Sequence, residues 1–145
     1  MRLVKLLTRL AVALLIVLPS IAVLPSPVEA AGRKRIVVVI REQRVYAYEG
    51  NTIVFTTRAN IRGAKRGNFR IQNKIPMARS SALGWKLPYW MGIYYVGRIQ
   101  NGFHGYSIRS NGALAANSLG CIVMPTSAAA WLYRWASVGT PVTIR

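Results

Sequence analysis

The sequence is poor in the side chains from which most catalytic and metal sites are built. Among 145 residues it has one cysteine, Cys121, one histidine, His104, and three acidic residues. A single cysteine excludes an intramolecular disulfide framework, which needs an even number of thiols. One histidine, one cysteine and two carboxylates beyond residue 30 make a poor ligand set for zinc, so no metal is expected.

The shortage of carboxylates also argues against glycoside hydrolysis, which needs two carboxyl groups placed around the scissile bond. Glu42 and Glu49 lie in or beside a predicted hairpin turn and are not expected to form such a pair. The same shortage leaves residues 31–145 with a formal charge of about +15. Such a charge suits nucleic acid, an anionic membrane or an acidic polymer, and it suits equally a solvated surface without a partner.

The first thirty residues have the layout of a secretory signal peptide. Three basic residues come first, residues 10–18 are apolar without interruption, and residues 28–30 offer a cleavage site. A retained membrane anchor is the alternative, although this apolar run is shorter than the roughly 20 residues of a spanning helix. Both interpretations place residues 31–145 outside the cytoplasm as one domain. Nucleic acid is then a poor partner, and membrane contact is expected only if the leader is not cleaved.

Beyond the leader, the hydrophobic pattern predicts a mainly β domain with one late helix. Strands are expected at 36–40, 45–48, 52–57, 68–73, 90–96 and 141–144, and the first three form an antiparallel meander. Residues 58–66 form a basic surface loop, and residues 74–89 are irregular because two prolines and a glycine interrupt them. The helix is predicted over 127–136, with Thr126 as its N-cap and Gly139 at its end.

The only thiol and the only imidazole lie in one stretch, and a loop between them can bring the two side chains together. The imidazole of His104 can then take the proton of Cys121, and the basic excess is expected to favour the thiolate. Amides around Gly120 and Cys121 can donate to an oxyanion, and the carbonyl of Gly105 can orient the imidazole. Ser118 either supports the loop by hydrogen bonding or simply caps a turn. A small buried hydrophobe is the alternative role for the cysteine.

Aromatic and basic residues ahead of the histidine are expected to contact a substrate. Trp90, Tyr94 and Tyr95 fall in the predicted strand 90–96, and aromatic side chains bury much area at low entropic cost. Core packing is the alternative for each of these three rings. Arg66, in the basic loop, is expected to meet acidic groups of a substrate or an acidic polymer.

Three segments resemble the L,D-transpeptidase catalytic domain family: 87–91 (LPYWM), 102–105 (GFHG) and 118–124 (SLGCIVM). The resemblance covers nearly all of 31–145 and implies a β-sandwich or barrel-like exported domain without a cofactor, secreted, periplasmic or associated with the cell wall. It implies that Cys121 is the nucleophile and His104 the proton donor and acceptor. The implied substrates are peptidoglycan stem peptides, whose terminal D-alanine leaves while the acyl group passes to an amine. Carbapenems typically acylate the same cysteine.

Three sites depart from the pattern of this family. Leu119 stands where the family has a second histidine, Val123 where it often has arginine, and residues 64–67 where it has Thr-Pro-Thr-Gly. Leu119 has no titratable side chain, so position 119 keeps a role only if it shapes the loop and offers its backbone. Two alternatives to transpeptidation stay open. One is a carboxypeptidase that uses water as the acceptor, and the other is a domain that binds peptidoglycan without turnover.

Overall fold

A computed structural model describes residues 33–145 of the protein. The signal peptide predicted over residues 1–30, and its alternative of a membrane anchor, lie outside the described residues. Within residues 33–145, no helix is long and apolar enough to cross a bilayer.

The described chain is mainly β, as the sequence predicted, with two sheets and one helix. The strands are β1 (Lys34–Val39), β2 (Arg44–Glu49), β3 (Thr52–Arg58), β4 (Gly67–Arg70), β5 (Asn73–Arg79), β6 (Lys86–Val96), β7 (Ile99–Gly105), β8 (Ser107–Ile108), β9 (Leu114–Ala115), β10 (Ile122–Met124) and β11 (Pro141–Ile144). The helix α1 spans Thr126–Trp135. The first sheet has the order β3-β2-β1-β11-β4, and the second has the order β10-β7-β6-β8-β9 with β5 also paired to β6.

The first sheet joins the two ends of the described chain. β1 pairs antiparallel with β2, and β2 with β3, so the predicted opening meander is confirmed. β11 lies parallel to β1, with Ile36 opposite Val142, and antiparallel to β4. Ile36 and Val38 of β1 are buried, as are Val142 and Ile144 of β11. This alternation along each strand is typical of a sheet with one face on the core.

The second sheet positions both the histidine and the cysteine. β6 and β7 form a long antiparallel pair, and the short β10 lies parallel to β7 with Val123 opposite His104. Parallel neighbours need a crossover connection, and here it runs through β8, β9 and the loop that ends at Cys121. β10 begins at Ile122, so this loop places the Cys121 thiol immediately before β10 and beside β7.

The prediction of an irregular segment over 74–89 was wrong. β5 and the first half of β6 pair antiparallel across it and form a hairpin. Pro76 does not prevent the pairing because β5 is an edge strand, where a missing N–H is tolerated. Tyr89 departs from strand geometry with a φ of 57°. The predicted strand 68–73 is instead divided between two strands, because β4 ends at Arg70 and β5 begins at Asn73.

The helix α1 begins one residue earlier than predicted and packs against β6 and β7. Its N-cap is Pro125 instead of Thr126, and no side chain accepts a hydrogen bond there. Proline has no N–H, so position 125 adds no unpaired backbone donor at the start of the helix. Three successive alanines in the first turns are buried, so the helix lies close to the sheet beneath it.

The helix α1 ends at Trp135, before the predicted Gly139, and two lysines bond to the carbonyls at its end. The ammonium of Lys34 donates to the carbonyl of Trp135 at 2.9 Å, and that of Lys74 donates to the carbonyl of Ala136 at 2.6 Å. Cations at this end satisfy the last carbonyls and interact favourably with the helix dipole. Lys74 is partly desolvated there, which lowers its pKa.

Candidate active site

Cys121 lies at the point where two cavities meet. The smaller cavity has a volume of about 130 Å³ and exposes His104, with Leu83 and Trp85 of the β5–β6 loop on its wall. The larger cavity, of about 450 Å³, extends from Cys121 towards β5 and the β6–β7 turn. The two cavities share Ser80, Leu87, Leu119 and Cys121. Cys121 therefore lines two adjoining cavities, and the imidazole lies on the smaller one.

The hydrogen bond between His104 and Gly105 defines the protonation state of the imidazole. His104 is buried in β7, and its Nδ1 lies 2.6 Å from the carbonyl oxygen of Gly105. Because a carbonyl oxygen only accepts, Nδ1 carries the hydrogen and Nε2 keeps a free lone pair. Burial lowers the pKa of His104, and the Gly105 carbonyl opposes this shift only in part. The imidazole is therefore a neutral base. The Gly105 carbonyl contacts its Nδ1, as expected of the group that orients the ring.

A chain of side-chain amides holds the aromatic ring beside His104. The Trp90 ring is stacked on the imidazole at a centroid distance of 5.9 Å. The indole Nε1 donates to Oδ1 of Asn73 at 3.1 Å, and the Asn73 amide donates to Gln100 at 3.0 Å. These amides lie across Gly92, where a Cβ would overlap the Gln100 amide. Trp90 therefore packs beside the imidazole, and its own position is held by a partly buried polar network that the sequence did not reveal.

Ser118 supports the loop that holds the cysteine. Its Oγ lies 2.8 Å from the carbonyl of Arg62 and 2.5 Å from that of Cys121, and it accepts from the N–H of Gly120 at 3.2 Å. One hydroxyl proton serves the two carbonyls. Both roles considered for Ser118 are thus present, since it caps the turn and ties the loop to the neighbouring chain. The sequence predicted that the amides of Gly120 and Cys121 donate to an oxyanion. Because the Gly120 N–H is bonded to Ser118, the Cys121 N–H is the remaining donor of these two.

Tyr94 contacts the cysteine loop from inside the core. Its hydroxyl donates to the carbonyl of Gly120 at 2.8 Å and accepts from the N–H of Lys65 at 2.9 Å. The ring is 4% exposed and packs against Phe69. The expectation that Tyr94 contacts a substrate is corrected, because Tyr94 lines neither of the two cavities that Cys121 lines and its hydroxyl is bonded to the protein on both sides. Tyr94 instead positions Gly120.

Burial reverses the expected effect of the basic excess on the thiol. Desolvation raises the pKa of Cys121, and the backbone N–H of Gly102 opposes this only in part. No arginine contributes to the raised pKa of the Cys121 thiol. The expectation of a favoured thiolate was therefore wrong. The resting pair consists of a neutral thiol and a neutral imidazole.

The other expected contact residues are distributed over two surfaces. Trp90 and Tyr95 line the larger cavity next to Cys121, and Tyr95 is 56% exposed. Arg66 lies instead in a separate depression beside Arg145 and is in neither cavity that reaches Cys121. The larger cavity contains other arginines, Arg79 and Arg98, which were not singled out because their segments carried no recognisable pattern.

The two departures next to Cys121 occupy very different environments. Leu119 is 81% exposed, so its side chain does not hold the loop in place. Val123 is buried in β10, opposite His104, with its backbone paired to Asn60. A hydrophobic residue suits that interior position, and a cation there would need a buried partner.

The fold and this site define a mainly β domain with a cysteine–histidine pair at the end of a parallel strand pair. The model of the L,D-transpeptidase catalytic domain family matches residues 33–144, and the chain belongs to that family. The resemblance seen in the sequence is thereby confirmed. No curated protein matches the chain at a significant level.

Solved L,D-transpeptidases share the fold at low sequence identity. The enzyme from Stackebrandtia nassauensis is 22% identical with a TM-score of 0.65, and the match covers 78% of this chain and 55% of that one. L,D-transpeptidase 1 of Mycobacterium tuberculosis is 20% identical with a TM-score of 0.61, over 77% and 61%. A mutant L,D-transpeptidase from Enterococcus faecium is 22% identical with a TM-score of 0.61, over 78% and 50%. The chain thus spans about half to three fifths of the length of these proteins.

Proposed function

We propose that the protein is an exported cysteine acyltransferase that forms an acyl-enzyme with peptidoglycan stem peptides and passes the acyl group to an amine. One observation carries the proposal: Cys121 lines two adjoining cavities, and His104 lies on one of them. Transfer between two substrates needs access for a donor and an acceptor at one nucleophile. The family acts on peptidoglycan, which supports both the substrate and an extracytoplasmic location.

The first half of the reaction begins from the neutral pair. Nε2 of His104 takes the thiol proton while Sγ of Cys121 attacks the carbonyl carbon of the third stem residue, and the π electrons of the carbonyl move to its oxygen. As the oxyanion collapses, the bond to the terminal D-alanine breaks and His104 gives the proton to the leaving amine. A thioester on Cys121 and a neutral His104 remain.

The second half repeats this chemistry with an amine as the nucleophile. The acceptor nitrogen attacks the thioester carbon, His104 removes its proton, and the new amide forms as the C–S bond breaks. The proton then returns to Sγ of Cys121. Because the pKa of His104 is lowered by burial, the imidazole is neutral and ready to accept a proton at neutral pH in both halves.

The larger cavity suits an anionic peptide. It combines the rings of Trp90 and Tyr95 with the guanidinium groups of Arg79 and Arg98. The two glutamates of residues 33–145 bond to Tyr46 and Trp135, away from this cavity, so neither neutralises the arginines. Stem peptides have carboxylates, and a guanidinium binds a carboxylate through two parallel hydrogen bonds.

Arg66 belongs to a second basic surface. It lies with Arg41 and Arg145 in an exposed depression apart from Cys121, where three arginines outnumber the single carboxylate of Glu42. This surface suits an anionic polymer of the cell wall, which would hold the enzyme near its substrate without entering the reaction.

Product analysis tests the proposal against its two alternatives. The purified protein is incubated with a disaccharide-tetrapeptide, with and without an added amine, and the products are resolved by mass spectrometry. Transfer predicts release of D-alanine and a new amide to the added amine. Release of D-alanine with only the tripeptide acid, whatever the amine concentration, would identify a carboxypeptidase. Unchanged tetrapeptide together with co-sedimentation on peptidoglycan would identify a binding domain without turnover.

A further inference from the structure

We propose that the side-chain amide of Asn101 is a catalytic hydrogen-bond donor to the oxyanion that forms when Cys121 attacks its substrate. The inference rests on the proposed acyl transfer and adds a residue to its machinery. Asn101 lies in β7, three positions before the catalytic histidine, and nothing in the sequence marked it.

The Asn101 amide is held against the nucleophile. Asn101 is 5% exposed, and its Oδ1 accepts from the thiol of Cys121 at a distance of 3.6 Å. The loop can approach this closely only because residue 120 is glycine. A Cβ at Gly120 would lie 2.6 Å from Oδ1 and 3.6 Å from Nδ2 of Asn101. The contact therefore involves the buried amide of Asn101, the absence of a side chain at Gly120, and the thiol of Cys121.

The Nδ2 group of Asn101 remains available to a substrate. Among residues 33–145, every fully buried side-chain nitrogen or oxygen has a hydrogen-bond partner, whereas Asn101 Nδ2 donates no hydrogen bond to these residues, so Nδ2 is not fully buried. Nδ2 therefore retains access to the larger cavity, which Asn101 lines together with Cys121. A donor that faces the cavity beside the sulfur is in reach of groups bound to the sulfur.

The site also needs such a donor. The Gly120 N–H, which the sequence assigned to the oxyanion, donates to Ser118 at 3.2 Å. The Cys121 N–H is then the remaining backbone donor of that pair. An oxyanion formed on the attacked carbon is separated from Sγ by that one carbon atom, so it develops next to the Asn101 amide. Fixed donors in a site screened from water stabilise such a charge strongly.

The change in protonation during the reaction agrees with this role. In the resting state, Oδ1 of Asn101 accepts the S–H of Cys121. When His104 removes that proton, the acceptor is no longer needed, and the N–H of the same amide can donate to the new negative charge. The amide is neutral, so it adds no formal charge to the site in either state.

Comparing two reactions of the same thiol tests the inference. Imipenem acylates a thiolate through a tetrahedral oxyanion, whereas iodoacetamide alkylates it by displacement at a saturated carbon, without an oxyanion. We would measure both rates for the full-length protein and for Asn101→Leu and Asn101→Asp, and check folding by thermal unfolding. Leucine removes both the donor and the acceptor of residue 101. Aspartate keeps an acceptor for the thiol but has no donor, so it remains informative if the leucine variant does not fold.

The expected result is a fall of about 100-fold in the ratio of the acylation rate to the alkylation rate, in both variants. A ratio within about threefold of the wild-type value would overturn the inference, because Asn101 would then only position the thiol. Wild-type protein that reacts with iodoacetamide but not with imipenem would contradict the proposed function itself. A failure of the Asn101 proposal can therefore be told apart from a failure of the proposed acyl transfer.

Discussion

The hydroxyl of Tyr94 donates to the carbonyl of Gly120 at 2.8 Å and so connects the C-terminal part of β6 to the residue before the nucleophile. The same oxygen accepts from the N–H of Lys65 at 2.9 Å. The buried Tyr94 hydroxyl therefore links the basic loop, strand β6 of the second sheet and the loop that holds Cys121. The position of Cys121 depends on a side chain that does not itself touch the thiol.

Replacing Tyr94 with phenylalanine should destabilise the protein by about 1–3 kcal/mol, because the Gly120 carbonyl and the Lys65 N–H lose a buried partner. Imipenem acylation should slow as the cysteine loop loosens. Tyr95→Phe is the matched control, since Tyr95 is 56% exposed and its hydroxyl has no such contacts. Urea unfolding of both variants measures the effect. Equal stability of the two variants would refute the supporting role of Tyr94.

Gly120→Ala should lower the free energy of unfolding more than alanine does at another glycine with a positive φ. Gly120 has a φ of 128°, and its Cβ would lie 2.6 Å from Oδ1 of Asn101. Gly112 has a φ of 82° with open space around it, so Gly112→Ala isolates the backbone cost. We expect losses in the free energy of unfolding of about 2–4 kcal/mol for Gly120→Ala and about 1 kcal/mol for Gly112→Ala. Similar losses would mean that Asn101 and Gly120 are not in close contact.

Stability should fall when the pH drops below about 6.5, the usual pKa of histidine. Burial lowers the pKa of His104 in the folded state, so the unfolded chain binds more protons in this range. The stabilisation is complete above the unfolded pKa and is lost as the pH falls through the folded value. The melting temperature at pH 7.5 and pH 5 measures this loss. His104→Gln should lose much less between the two pH values, and an equal loss would show that other groups cause it.

The arginines of the larger cavity should affect substrate binding, and Arg66 should not. Arg79→Gln combined with Arg98→Gln is expected to raise KM for a stem tetrapeptide about tenfold, because two guanidinium contacts with carboxylates are weakened. Arg66→Gln removes a positive charge at a site apart from Cys121 and should leave KM within about twofold. Equal effects of these variants would indicate a dependence on total charge instead of on this cavity.

The sequence was sufficient to predict the class of fold and the family because both depend on local patterns. The continuous β-branched run 36–40 predicted the first strand, and the segments around His104 and Cys121 indicated the family. The hairpin of β5 and β6 was missed because Pro76 and Pro88 normally interrupt strands. Only the pairing of β5 as an edge strand shows why Pro76 is tolerated there.

The supporting residues of the site could not be predicted, because their roles arise from contacts between distant segments. Tyr94 and Gly120 are 26 positions apart, and Asn101 and Cys121 are 20 apart. An aromatic residue in a strand gives no local sign of whether its hydroxyl points to a groove or to a loop. The pKa of Cys121 was mispredicted for a related reason, since total charge says nothing of how deeply one thiol is buried.

The most direct test of the account is intact mass spectrometry of the purified protein after incubation with imipenem. The account predicts that wild-type protein gains the mass of one imipenem, that Cys121→Ala gains none, and that His104→Ala gains it much more slowly. Iodoacetamide labelling of the wild type establishes that the thiol is free to react. A wild-type protein that is labelled by iodoacetamide but stays unmodified by imipenem, or a Cys121→Ala variant that still forms the adduct, would contradict the account.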